Sequence, residues 1–522
     1  MRKNYRVAVL AFAFLSVLAE GREQQSFTYE EASIAGIHAA MQEGRVTSRM
    51  LVEHYLRRIG AYDKRGPAIN SIITINPDAL NRADALDSMF KQGGLTGPMH
   101  GIPVIIKDNY DTHDLPTSAG SLSLINSVPL NDAWQVRKLR EAGAIVVAKS
   151  NMYEFAFSPY ETVGSALPGH TRNPYALNRV PAGSSGGTGA AIAASFAVVG
   201  LGTDTGNSIR GPSSHNALVG IRSTLGLTSR DGIVPLFLDH DVGGPMARSV
   251  ADAAAVLTVI AGYDPRDTIT SAARDIGHGD YRDYLDSNGL DGARIGVMRQ
   301  LSNREGADSA VLTLFDEALS DMRQAGATII DPLTLPELDM LVPPVEGDSL
   351  PVWCSRFEED LNAYLSTLGD DAPYRTLQEI YDSKQFHPQL APDIEYFLEQ
   401  APPDENEDCI ASIAGRERLR KSVLALFDEQ NLDALVYPSW SNPPRLIGDM
   451  NSPHGDNSQH LSPHTGFPAI TVPMGYVDEA LPAGLQFFGK AFAEPTLIKL
   501  AFSYEQATQH RRAPPTTPPI TD

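Results

Sequence analysis

The chain has 522 residues, of which 42% are hydrophobic and 20% charged, the proportions of a globular protein rather than a disordered one. Its 64 acidic and 42 basic residues give a formal charge of −22, a surface that repels nucleic-acid phosphates and anionic membranes. Two cysteines, Cys354 and Cys409, allow one disulfide but no disulfide scaffold. No CxxC, HExxH or Cys/His cluster has metal-site spacing, so no metal is expected.

The chain starts MRKNYR, with three basic residues, followed by the apolar run VAVLAFAFLSVLA. That run is too short to span a bilayer. With the small residue Ala19 it reads as a secretory signal peptide over 1–20, cleaved near Ala19 or Gly21, which predicts a periplasmic or secreted protein. An uncleaved anchor or a buried first helix is the alternative. No later segment is long and apolar enough to cross a membrane, so no stable membrane insertion of the mature chain is expected.

Thr28-Tyr29-Glu30-Glu31 reads as a capping box opening a helix that runs to about Glu43, where Gly44 stops it. Ser48 then caps a second helix with Leu51, Tyr55 and Ile59 on one face. SIITI (71–75) reads as a buried strand, and NPDALNRADALDSMF as a helix with Pro77 near its start. IPVIIKD (102–108) is a strand. DAWQVRKLREAGAIVVAKS is a helix capped by Asp132 and then a strand. GTGAAIAASFAVVGLGTDT repeats that theme, with a helix near 188–195 and a strand near 197–202. SVADAAAVLTVIAG (249–262) is a capped helix, RIGVMR a strand, and Ala310–Ala325 a helix feeding ATIIDP. Strands alternating with helices predict an α/β fold around a large mixed sheet with helices on both sides.

Residues from about 340 to 430 are helical, acidic and proline-punctuated, which predicts a cap or insertion. The strand rhythm returns with LDALVYP (432–438), FPAITVP (467–473) and AGLQFFG (483–489), and a helix closes the fold near 493–508. The core is thus drawn from both halves of one domain, 26–508. The proline-rich tail, 509–522, reads as disordered.

PAGSSGGTGA (181–190) contains G-x-S-x-G, which would make Ser185 the nucleophile of an α/β-hydrolase elbow. The preceding NPYALNRVPA is a poor strand, and no Gly-Lys-Ser/Thr follows to make a phosphate loop. A slack linker does not fit either, because GTGAAIAAS continues as a buried helix. GLGTDTGNSIRGPSSHNALVG puts Ser208 in a glycine-containing turn between a strand and a helix. Backbone N–H groups converge there and can hold an oxyanion, although a helix N-cap is the plainer role for such a serine. Lys107 ends the apolar strand IPVIIK. Burial would lower its pKa toward neutrality and make it a general base. Snorkelling to solvent or pairing with Asp108 is the plainer alternative.

Taken in order, HGIPVIIKDN, TSAGS, VVAKSNMYEFAF, GSSGG, GTDTGNSIRGPSSHNALVGIRST, FPAITVP and LPAGLQFFG resemble the amidase signature family from about residue 28 to 508. The segment DGIVP…GPMARSVADAAAVL is most similar to its peptide-amidase branch. The resemblance implies an amide hydrolase that needs no cofactor. Ser208 would be the nucleophile and Lys107 the base. Ser184 would relay the proton, following a cis Gly183–Ser184 bond. Backbone N–H groups of Thr205, Gly206, Asn207 and Ser208 would form the oxyanion hole. Many relatives have two glycines before the nucleophile; here the pair is Gly206-Asn207, which bears on substrate preference. Ser185 would support the site by a hydrogen bond, and Asp204 with Arg210 would form a salt bridge shaping the loop. His100 and His215 lie near the motifs, but the family chemistry gives no histidine a role. Ala156 and Phe157, in the segment Met152–Phe157, and the 340–430 insertion are expected to wall the substrate site. Their apolar character points to an aryl or alkyl amide or a peptide C-terminal amide. The alternatives are an esterase or carbamate hydrolase with the same triad, a component of an amidotransferase, and an inactive binding protein on this fold. The partner expected is a small-molecule or peptide amide, with no nucleic acid, and the protein a monomer or homodimer.

Overall fold

Short apolar runs, each ended by turn residues, assemble into one 11-stranded sheet in the computed structural model, which describes residues 27–276, 279–341, 351–370 and 372–520. The expected signal peptide lies outside the described residues. The strands are β1 (Ile72–Ile75), β2 (Pro103–Lys107), β3 (Ile145–Ser150), β4 (Val199–Asp204), β5 (Val219–Arg222), β6 (Val242–Ala247), β7 (Arg294–Val297), β8 (Thr328–Ile330), β9 (Ala434–Pro438), β10 (Ala469–Val477) and β11 (Leu481–Phe488). Their spatial order is β1-β3-β2-β4-β6-β5-β10-β11-β9-β7-β8. β2 runs parallel to both β3 and β4, whereas β6 is antiparallel to β4 and β10 to β11. The sheet is therefore mixed, and the fold is the α/β class the alternating pattern implies.

Side-chain alternation in β2 feeds two cores. Val104 and Ile106 join one with the helices Val250–Ile260 and Glu494–Thr508. Ile105 joins the other with the small-residue helix Gly186–Ala193. A third apolar cluster packs Met152, Tyr153 and Phe155 against the helical insertion, through Phe357, Leu361 and Leu365. A disulfide, Cys354–Cys409, closes that insertion on itself. Among the described residues, no helix is long and apolar enough to cross a membrane.

The structure corrects several local expectations. The first helix starts at Ile34 with Ser33 as its cap, not at a box on Thr28. Glu31 has φ +58, and the Glu30 and Glu31 carboxylates bind Arg58 and Arg511 instead of helix N–H groups. Thr47, not Ser48, caps the second helix. Asp132 caps nothing: its carboxylate accepts from the backbone N–H of His113 and faces Arg140, while the helix starts at Trp134. β1 is an edge strand with Ile75 exposed rather than a buried one. The tail expected to be disordered is docked over 509–520. Arg58, only 1% exposed, donates to the carbonyls of Thr517 at 2.8 Å and Pro518 at 2.9 Å. A proline-rich strand keeps its carbonyls free to accept such bonds.

Candidate active site

The site forms where two parallel strands end together. Ile106 of β2 lies beside Leu201 of β4, so Lys107 and Thr203 come to the same sheet edge. Alternation turns Lys107 to the side of Ile105, which the helix Gly186–Ala193 covers. That helix sits close because glycines stand at its contacts, Gly202 on β4 and Gly187 on the helix itself. A Cβ on Gly202 would stand 2.9 Å from Ser185 Oγ, and one on Gly187 only 2.1 Å from the Asn151 carbonyl. The GSSGG loop thus delivers Ser184 to the lysine, across a Gly183–Ser184 peptide that is cis.

Lys107 Nζ donates to Ser184 Oγ at 2.7 Å and to Thr203 Oγ1 at 2.7 Å. Asn109 Nδ2 donates to the same threonine oxygen at 3.1 Å. The amine is fully buried and forms no ion pair among the described residues. Burial pulls its pKa down to about 7, with the more distant Asp241 and Asp204 carboxylates opposing. Ser184 is buried, whereas Ser208 keeps 5% of its surface. The Ser208 hydroxyl forms no hydrogen bond among the described residues, which leaves it open to an incoming group.

The turn carrying Ser208 is fixed from below. Asp204, fully buried, pairs with Arg210 at 3.0 Å and with Arg222 at 3.1 Å, and accepts the N–H of Ile209 at 3.1 Å. Burial raises its pKa, but the two guanidiniums outweigh that and hold it at about 2. Arg210 also donates to the Gly206 carbonyl at 2.6 Å, which turns that peptide over. Among the described residues the N–H groups of Gly206, Asn207 and Ser208 have no acceptor. They are the donors an oxyanion needs. Ser185 Oγ donates to the Thr203 carbonyl at 3.1 Å and so braces the end of β4.

Several contributors are invisible in the sequence. Arg222 is the second cation on Asp204. Thr205 Oγ1 donates to Asp241 at 2.5 Å. Asn207 Nδ2 donates to Asp456 at 2.6 Å, and Gln459 Nε2 to the same carboxylate at 2.8 Å. The Asn207 side chain is thereby drawn toward the loop between β9 and β10. Thr203 had a readable signal: it is the last residue but one of a strand parallel to IPVIIK. His100 bonds Thr96, and His215 packs on Trp440 with its rings 4.7 Å away; neither bonds Lys107, Ser184 or Ser208.

Ala156 lies beside Asn109, Thr203 and Thr205 around a small cavity. Phe157 instead packs on Phe357 and Phe397 of the insertion, with ring centroids 4.7 and 5.3 Å apart. A cleft of about 700 Å³ is lined by Asp456, Gln459, Tyr160, Trp353, Arg304 and His464. Gln459 also abuts Gly206, where an added Cβ would stand 3.0 Å from its Oε1, so the cleft borders the Ser208 turn. Among the described residues, His113, Asp114 and Asp132 are the only group close enough to share an ion. Arg140 already lies against both carboxylates, at 2.6 and 3.3 Å.

A buried lysine with a lowered pKa, a serine pair and a row of free N–H groups thus meet at the end of two parallel strands. Residues 50–498 match the Amidase family, and the chain belongs to it: it is an amide-hydrolysing enzyme. A probable amidase of Arabidopsis thaliana is 34% identical over 94% of this chain and 93% of its own length. A glutamyl-tRNA(Gln) amidotransferase component from Acinetobacter baumannii is 34% identical over 91% of this chain and 96% of its own. Among solved structures, the native peptide amidase of Stenotrophomonas maltophilia is 37% identical and superposes with a TM-score of 0.83, covering 93% of this chain and 99% of that one.

Proposed function

We propose that this enzyme hydrolyses carboxamides through an acyl-enzyme on Ser208, with Ser184 and Lys107 as its proton relay. The observation that carries the reading is the 2.7 Å contact between Lys107 Nζ and Ser184 Oγ, made by an amine with a pKa near 7. In the neutral amine the same contact runs the other way. Lys107 takes the Ser184 proton, Ser184 takes the Ser208 proton, and Ser208 Oγ forms a bond to the amide carbon. Negative charge then develops on the carbonyl oxygen, within reach of the N–H groups of residues 205–208. The proton returns through Ser184 to the leaving nitrogen, the C–N bond breaks, and the amine departs. Water repeats the attack on the ester and frees the acid and Ser208. No step needs a cofactor.

The peptide-amidase neighbour supports a peptide C-terminal amide as substrate, and the aromatic residues Tyr160 and Trp353 in the cleft fit an aryl or alkyl group as well. The amidotransferase relative supports a rival reading, in which partner proteins copurify with the chain. Ser208→Ala, Ser184→Ala and Lys107→Ala, checked for folding by circular dichroism, test the relay. Ser208→Ala is expected to lower kcat on a peptide amide or anilide by about 10³-fold or more. Retention of most activity would sink the assignment.

We further propose that the protein is exported. The basic, short-apolar N-terminal pattern supports this, and so does a disulfide, which persists in oxidising compartments. N-terminal sequencing of the mature protein tests it: an intact Met1 on a chain retained in the cytoplasm speaks against export.

A further inference from the structure

The wall of the cleft beside the Ser208 turn contains an arginine with no carboxylate partner among the described residues. In a chain with 64 acidic and 42 basic residues, carboxylates are plentiful, and several inward-facing arginines use them, whereas Arg248 and Arg445 donate to backbone carbonyls instead. Arg58 pairs with Glu30, Arg210 and Arg222 with Asp204, and Arg230 with Asp267. Arg304 is half-buried and forms no ion pair among the described residues. Its Nε donates to the Gln300 carbonyl at 3.1 Å, and Nη1 to His460 Nε2 at 3.1 Å.

Accepting that second bond requires a neutral imidazole. Burial first, and then Arg304 itself, pull His460 down to about 3, so it brings no charge of either sign. Burial lowers Arg304 to about 10, which leaves it cationic at neutral pH. The acids lining the same cleft do not pair with it. Asp456 is taken by Asn207 and Gln459, and Glu305 and Asp408 stand exposed. Asp456 and Asp339 favour the charged form only through space. One edge of a planar fork is thus held without an anion in the wall of a cleft.

We propose that Arg304 is the anchor for a carboxylate on the substrate, so that the amide cleaved by this enzyme carries a free carboxylate apart from its scissile bond. The inference rests on the reading of this cleft as the substrate side of the Ser208 turn. A guanidinium matches a carboxylate with two charge-assisted bonds, and partial burial protects the pair from salt. Tyr160 and Trp353 in the same cleft give flat surfaces for what lies between the two ends. A neutral amide would fill the cleft and leave the cation without a counter-charge, which selects against it.

Two substrate pairs separate the acyl from the amine side. Succinyl-phenylalanine p-nitroanilide against its acetyl analogue puts the carboxylate on the acyl side. Acetylphenylalanyl-4-aminobenzoate against its methyl ester puts it on the amine side. Within one pair the full chain is expected to prefer the carboxylate in kcat/KM. Arg304→Gln is expected to cut that preference about 10- to 100-fold while the neutral member changes little. Arg304→Lys should keep part of it. Because the readout is a ratio within each variant, loss of folded protein cancels. No preference in either pair, or a preference that survives Arg304→Gln, overturns the anchor. Calorimetric binding of the four compounds to Ser208→Ala protein, with and without Arg304→Gln, reads the anchor without chemistry. A carboxylate preference in binding that Arg304→Gln removes supports the anchor, even if the intact enzyme turns over none of the four; that failure would count against the proposed reaction. Equal binding within both pairs overturns the anchor.

Discussion

Lys107 is the last residue of β2 and Lys149 the last but one of its parallel neighbour β3, and both are fully buried, yet their surroundings differ. Lys149 Nζ meets two carbonyls, of Tyr110 at 2.7 Å and Pro116 at 3.1 Å, and two hydroxyls, of Thr112 and Thr117. It also faces the Asp108 carboxylate at 3.6 Å. Lys107 meets only two hydroxyls, and one belongs to Ser184. Burial lowers both pKa values, but Asp108 and Asp111 oppose it beside Lys149. The same residue type at the same depth is a brace where it has acceptors and an anion, and is suited to the base of the proposed relay where it has neither in full. Position in the strand explains the burial; the partners explain the chemistry.

The contrast breaks most sharply under paired substitution. Lys107→Met is expected to lower kcat by about 10³- to 10⁴-fold and to leave the urea midpoint nearly unchanged, since its partners are uncharged hydroxyls. Lys149→Met should do the reverse. It strands the buried Asp108 carboxylate, at a cost of about 3–5 kcal/mol in denaturant unfolding, while the folded fraction keeps near-native kcat. If Lys149→Met abolishes turnover in protein shown to be folded, the division of labour fails.

A pH profile tests the same contrast with the native chain. The proposed relay needs Lys107 neutral, and burial brings its pKa down to about 7. On a substrate with no titrating group, kcat/KM should therefore climb between pH 6 and 8 and level off above. A profile that falls over that range would assign the base elsewhere. The smallest expected effect is that of Thr203→Val. The threonine oxygen accepts from Lys107 and so favours the ammonium. Its removal should move the midpoint to lower pH by less than about one unit and change kcat less than about tenfold. A shift toward higher pH would show that the hydroxyl acts on the amine in some other way.

The strands that position the relay were legible because each is an apolar run with clear ends: IPVIIK, AIVVAK and LDALVYP lie where their pattern puts them. β5 and β6 were not. VGIR and VGGPMA are short, carry glycine or proline, and are buried on both faces, so they show no alternation. The Thr28 box failed because its two glutamates are claimed by arginines far along the chain, a competition no local window contains. Of the site, Lys107, Ser184 and Ser208 stand in motifs with their own punctuation. Thr203 and Arg222 sit in one of those motifs without being singled out, and Asp241 and Asp456 act from elsewhere in the sequence, where nothing local marks them. Asn207 was noticed as a departure, but its partner Asp456 is 249 residues away.

The docked tail sets an order of events. Arg511 grips Glu31 across a separation of 480 residues, and Arg58 reaches Pro518 across 460. On a ribosome the helix bearing Arg58 emerges hundreds of residues before two of its carbonyl acceptors are synthesised. Until then that guanidinium can bond only Glu30, Ala194 and Ser195. The last bonds of this side of the fold therefore close only after the tail has been made.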